Sequence, residues 1–108
     1  MKEKVSLADR VRAEVSGQPD VVEKRMFGSV GFMIRGKLSL SARESRIMFR
    51  IAPDMQNDLI KRDGCRPVVM RGHLMKGYVY VDIGALKTAR ALKYWVSLAL
   101  ARNKVITR

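Results

Sequence analysis

Apolar residues recur along this chain with two different periods, and the change from one to the other marks out the elements. Leu7, Ala8, Val11 and Val15 fall on one side of a helix. Ser6 precedes them as an N-cap, with Asp9 three residues on, where a capping box places its acid. Gly17 and Pro19 then stop the helix. From Val30 the period is two. Val30, Phe32 and Ile34 alternate with Gly31, Met33 and Arg35, and Gly36 reverses the chain into Leu38, Leu40 and Ala42. A third run sets Ile47, Phe49 and Ile51 against Arg46, Met48 and Arg50. Three strands joined by short turns predict an antiparallel meander.

Pro53 suits a first helical position, and Asp54 beside it complements the helix dipole. Met55, Leu59 and Ile60 supply the apolar side of a short helix that Gly64 ends. A short strand is expected over Val68 to Met70 and a clear one over "GYVYVDI", from Gly77 to Ile83. The last pattern is the longest. From about Ala85 to Asn103, Ala89, Leu92, Trp95, Val96, Ala99 and Leu100 share one helical face, while Lys87, Arg90, Lys93, Tyr94, Ser97 and Lys104 take the opposite arc. Helix, three strands, helix, two strands, helix is an α+β order: one antiparallel sheet with helices mainly on one face. Its packed face is predicted to hold Val30, Phe32, Ile34, Leu38, Leu40, Ile47, Phe49, Ile51, Val79 and Val81; Lys37, Ser39, Ser41, Arg46, Met48, Arg50, Tyr78 and Tyr80 lie opposite. Gly28 and Gly31 are expected inside an apolar strand, where a side chain would strike neighbouring backbone.

At 108 residues, the chain is long enough for one domain, residues 1–108, and too short for two separate cores. No apolar run is long enough to span a bilayer, and the N-terminal stretch lacks a secretory apolar block. One cysteine, Cys65, excludes an internal disulfide and fits a reducing, cytoplasmic compartment. Charge changes the picture more. The chain carries 22 Lys and Arg against 10 Asp and Glu, net +12, and residues 64 to 108 hold nine of the basic residues with Asp82 as their one acid. Such a field favours polyanions or an acidic protein partner.

The chemical inventory is short. His73 is the lone histidine and Cys65 the lone thiol; a Cys–His dyad can be written from them, but a loop histidine beside a small buried cysteine is the simpler account. No His or Cys pair has metal-ligand spacing, and no base, nucleophile and orienting group converge. No catalytic, cofactor or metal residue is therefore expected. Gly28-Ser29-Val30-Gly31 has the outline of a KH clamp, and Gly36-Lys37 the start of a phosphate loop, but both stand beside strands where those motifs need helices. Lys76-Gly77-Tyr78 with Tyr80 resembles the stacking strand of an RRM. Val79 and Ile83 depart from that motif, and the strand an RRM places after the next helix is not in the pattern.

Three segments go further: "RMFGSVGFMIRGKL", "RIMFRIAPD" and "RGHLMKGYVYVD". They resemble the hallmark segments of the TfoX N-terminal domain family, the Sxy-like competence regulators. Met26, Phe27, Gly28 and Gly31 meet the family pattern Met-Phe-Gly-Gly-x-Gly, with Ser29 in place of its second glycine. Met75, Lys76, Gly77 and Tyr78 meet Met-Lys-Gly-aromatic, with Leu74 where many members have proline. The likeness runs from about residue 6 to 104. It implies a secretion-chaperone-like α+β domain and a bacterial, non-enzymatic role in transcriptional regulation, in longer members the promotion of competence. It supplies no catalytic or ligand residue, and the chain is expected to lack the second, C-terminal domain of those members.

Two surfaces follow as candidates. Arg46, Met48, Arg50, Tyr78 and Tyr80 form a protein-interface set for an unidentified regulator or a second copy of the chain, since arginine, methionine and tyrosine are enriched at interfaces. Arg71, Lys76, Lys87, Arg90, Lys93 and Lys104 form a polyanion set, through which the alternative function, weak sequence-independent DNA or RNA binding, would act.

Overall fold

A computed structural model of the chain describes residues 6–108. Helix α1 (Leu7–Val15) leads into β1 (Val21–Met26), β2 (Ser29–Ile34), β3 (Lys37–Ala42) and β4 (Arg46–Arg50). A 3-10 turn over Pro53–Met55 runs into the short α2 (Gln56–Leu59), followed by β5 (Cys65–Met70) and β6 (His73–Asp82). A second 3-10 turn, Ile83–Leu86, delivers the chain to α3 (Ala89–Ile106). The strands form one sheet in the order β1-β2-β3-β4-β6-β5, antiparallel throughout. The α+β class and the helix placement agree with the sequence pattern. The strand count before α2 does not: there are four.

The additional strand is β1, an edge strand reading "VVEKRM". Its pairing places Val21, Glu23 and Arg25 opposite Ile34, Phe32 and Val30, so a charged residue stands where the alternation rule looks for an apolar one. Glu23 is held there by Arg12 of α1, whose Nε and Nη2 donate to its two carboxylate oxygens at 2.6 and 2.7 Å. An ion pair thus replaces apolar burial at the rim of the sheet.

Both long helices begin on side-chain caps. Asp9 N–H donates to Ser6 Oγ at 3.1 Å and Ser6 N–H to the Asp9 carboxylate, the expected capping box; Ala91 N–H donates to Thr88 Oγ1 at 3.0 Å. Three hairpins turn on two residues each, Phe27-Gly28, Arg35-Gly36 and Arg71-Gly72, with φ near 51° then 78°, 52° then 80°, and 51° then 78°. These are type I′ turns, whose twist matches that of the strands they join. Gly28 therefore belongs to a turn, correcting its expected place inside a strand.

Helices α1 and α3 cover one face of the sheet. Phe32, Ile34, Leu40, Ile47, Phe49, Ile51, Val79 and Val81 are wholly buried beneath them, with Val11, Leu92, Trp95 and Val96 above. Trp95 stacks on Phe49 at 5.9 Å between ring centroids. The end of α3 is tied down by the buried Asn103, whose Nδ2 donates to the Ile34 carbonyl at 2.9 Å. The helix runs to Ile106, three residues beyond its expected end, and closes with the Thr107 N–H on the Asn103 carbonyl.

One register shift rearranges the predicted faces. Phe32 pairs with Leu40 but Met33 with Leu38, so Ser39 is an extra residue in β3. Ser39 is buried on the helix side, its hydroxyl 3.5 Å from the Ala99 carbonyl, and Leu38 swings to the open face. Both assignments reverse the simple alternation, and Lys37, paired with Ile34, moves with them. Leu38 also explains Gly31: a β-carbon there would meet Leu38 Cδ1 at 3.2 Å, whereas the nearest backbone atom, the Lys24 carbonyl, stands off at 3.6 Å. The close neighbour is a side chain and not the expected backbone.

Candidate functional site

The face of the sheet away from α1 and α3 carries the predicted interface set on two adjacent strands. In register, Arg50 of β4 faces Tyr78 of β6, Met48 faces Tyr80, and Arg46 faces Asp82. All five set members are half-buried. The Arg46 guanidinium lies over the Tyr80 ring at 3.8 Å and that of Arg50 near the Tyr78 ring at 5.5 Å. A guanidinium held over a ring is preorganised and keeps its in-plane donors for a carboxylate. Asp82, the nearby acid, is engaged by Arg66 at 3.0 Å.

Residues outside the predicted set turn this face into a cleft. Val68 is buried although it stands apart from the main core; with Met70, Met75 and Tyr78 it lines a cavity of about 170 Å³ against Leu38 and Met48. A second cavity of about 180 Å³ adjoins it, sharing Leu38, Met48 and Met70 and reaching Phe27, Arg43 and Arg46. Met70 belongs to β5 and Leu38 to β3, with β4 and β6 between them in the sheet. The β5–β6 hairpin thus bends over the open face. Its bend has a visible cause at Gly77, which has φ 86° within β6 and donates its N–H to Gln56 Oε1 at 2.8 Å. A β-carbon at Gly77 would come within 3.2 Å of the Ile51 carbonyl. The glycine of the Met-Lys-Gly-Tyr segment is therefore required by conformation and by space.

Sequence reading missed Phe27, Leu38, Arg43, Val68, Met70 and Met75 as parts of this cleft. The bulge at Ser39 hid Leu38. The bend of the β5–β6 hairpin hid Val68, Met70 and Met75, and the β1–β2 turn brings the Phe27 carbonyl to Arg43 across 16 residues of sequence.

The polyanion set is not gathered in one place. Lys87, Arg90, Lys93 and Lys104 are exposed at or along α3, while Arg71 is in the β5–β6 turn and Lys76 on β6. Lys93 also lies 3.9 Å from Glu14. Arg90 lines a broad cleft of about 400 Å³ with Arg62, Asp63 and Tyr94, where Arg62 sits over the Tyr94 ring at 4.6 Å.

Cys65 and His73 occupy opposite ends of the β5–β6 hairpin, Cys65 beside Val81 and His73 beside Met70. Burial pushes the Cys65 thiol up to about 11, so it stays protonated at neutral pH. The dyad that could be written from the sequence is not formed. Among the described residues no three His, Cys, Asp or Glu side chains cluster as a metal site, and no helix is long and apolar enough to cross a membrane.

No curated protein and no solved structure matches the chain. A family model does. The TfoX N-terminal domain model matches residues 13–102, a span that takes in the whole sheet, the Phe27-Gly28 turn, the Gly77 bend and most of α3. With that match over most of its length, the chain belongs to the TfoX N-terminal domain family.

Proposed function

We propose that this domain is a non-enzymatic, bacterial regulatory module that acts by binding another protein through the open face of its sheet. The observation that carries the reading is the cleft itself. An antiparallel sheet can leave one face to water, and a face of that kind is ordinarily polar. Here the exposed side is floored by Leu38 and Met48 and overhung by Met70, with Arg46 and Arg50 held over tyrosine rings. Methionine adapts to irregular partners, and arginine with tyrosine supplies the anchors typical of interface centres. Each cavity is also smaller than the roughly 300–1,000 Å³ of small-molecule sites, so a protruding side chain is the better-sized occupant.

Removing the chromosomal copy and complementing it tests this. Transcript levels should change on deletion and return with the parent chain, but not with Met48→Asp, provided both accumulate equally. Recovery by Met48→Asp, or an unchanged transcript profile on deletion, would contradict the proposal. Nucleic-acid binding is the second reading, favoured by the exposed cations of α3.

A further inference from the structure

The cleft also constrains what enters it, and this step rests on the open face being the binding surface. Its two cavities, about 180 and 170 Å³, share Leu38, Met48 and Met70 as a common wall. An apolar cavity of roughly 150 Å³ accommodates a benzene ring, so each has room for one leucine-sized or aromatic side chain. The rim is basic. Arg43 and Arg46 line the first cavity, and among the described residues no carboxylate lines either one. Arg43 is fixed by donating to the Phe27 carbonyl at 3.0 Å, and Arg46 by Tyr80.

Phe27 adds an independent sign of an absent partner. It is 90% exposed at the first position of the β1–β2 turn, the most exposed of the large apolar side chains among the described residues. A ring exposed to that extent is unfavourable within the lone domain, whereas its φ is that of the turn, shared with Arg35 and Arg71. Phe27 and Met70, itself 47% exposed, border the first cavity from the β1–β2 turn and the β5 strand. Together they make an apolar mouth with arginines beside it.

We infer that the cleft takes an acidic segment of a partner protein, whose apolar side chains fill the two cavities while its carboxylates meet Arg43 and Arg46. A net charge of +12 draws such a segment in, and the lining decides which part of it is buried. A nucleic acid would bring the same charge but no aliphatic anchor for a cavity walled by Leu38 and Met48.

Selection of short random displayed peptides on the immobilised chain is the test, because it presumes no sequence. The expected peptides are rich in Asp and Glu and contain at least one Leu, Met, Phe or Trp. They should lose about tenfold or more in affinity, roughly 1.4 kcal/mol, against both Arg46→Gln and Met48→Asp. Melting of both variants checks that each is folded, and Arg46→Gln keeps the test open should Met48→Asp fail to fold. Apolar but neutral or basic peptides would overturn the acidic occupant and leave the surface reading standing. Acidic peptides without apolar residues, indifferent to Met48→Asp, would reduce the effect to charge and overturn the inference. Recovery of no peptide above background would overturn both readings. Self-association abolished by Met48→Asp would assign the cleft to a second copy instead.

Discussion

The two faces of the sheet are built from alternate residues of the same strands, yet they follow different rules. On β4, Ile47 and Phe49 point into the helices and are wholly buried, while Arg46, Met48 and Arg50 between them are half-buried. The covered face has shape complementarity already supplied: Trp95 on Phe49, Asn103 on the Ile34 carbonyl. The open face is preorganised but incomplete, with guanidinium groups over rings and two cavities the size of single side chains. One face is finished by the chain itself. The other is left open, and the proposed partner would finish it.

Truncations on the two faces should separate them most sharply. Phe49→Ala removes a wholly buried ring and its stack on Trp95, and is expected to cost about 3–5 kcal/mol. Met48→Ala, one residue away, should cost about 1 kcal/mol or less. Urea unfolding of both variants checks this, and equal losses would erase the distinction between the faces.

The next largest effect is expected at Gly77, which lets β6 bend the hairpin over the open face. Gly77→Ala forces a β-carbon into left-handed backbone and against the Ile51 carbonyl, for a loss of about 2–3 kcal/mol. Gly72→Ala meets the φ penalty with nothing within 4 Å and should lose less; Gly84→Ala has neither problem and should stay within about 0.5 kcal/mol of the parent. Melting midpoints in that order would support the conformational account of the Met-Lys-Gly-Tyr segment.

This is where legibility in the sequence divides. The covered face could be read in advance because burial enforces period two and helical spacing, and Phe32, Ile47, Phe49, Val79 and Val81 all lie where alternation puts them. Tyr78, Tyr80 and Met48 were legible by the same rule, as their opposite. What was not legible came from places where backbone geometry overrides side-chain pattern. The extra residue at Ser39 exchanges the faces of Leu38 and Ser39 without leaving any mark in hydropathy. Strand β1 is an edge held by pairing with β2 and by Arg12–Glu23, so its charges disguise it. Val68, Met70 and Met75 reach the open face because the hairpin bends, and a bend is set by residues distant in sequence. In the polyanion set, helical spacing as well as charge joined Lys87, Arg90, Lys93 and Lys104, which lie at or along α3, whereas only charge joined Arg71 and Lys76 to them.

Smaller effects are expected at the rims. Glu23 is held below its ordinary value of 4.5, first by hydrogen bonds from Arg12, and Asp9 below 3.8 by Arg12 and Ser6. A carboxylate whose folded value is depressed contributes stability above its unfolded value and loses it as pH falls through the folded one. Melting should therefore fall as pH drops below about 4.5, and Arg12→Gln should flatten that fall. Identical pH profiles for parent and variant would remove the pair from the account. Smallest of all for the fold is the outer arc of α3. Lys87→Gln with Arg90→Gln should leave stability within about 0.5 kcal/mol. If duplex DNA binds there, the slope of log affinity against log salt should flatten by about 0.9 for each phosphate no longer neutralised. Titration of labelled DNA at several salt concentrations reads this, and an unchanged slope excludes that arc.

Oxidative footprinting in extract of the native host tests the central claim most directly. Side-chain oxidation of Phe27, Met48, Met70, Tyr78 and Tyr80 is compared with that in buffer, with the exposed Val105 of α3 as the internal reference. Protection of the five cleft residues in extract, with Val105 unchanged and the protection abolished by Arg46→Gln, is the predicted result. Equal oxidation of the cleft in extract and in buffer would contradict the claim that a protein covers the open face.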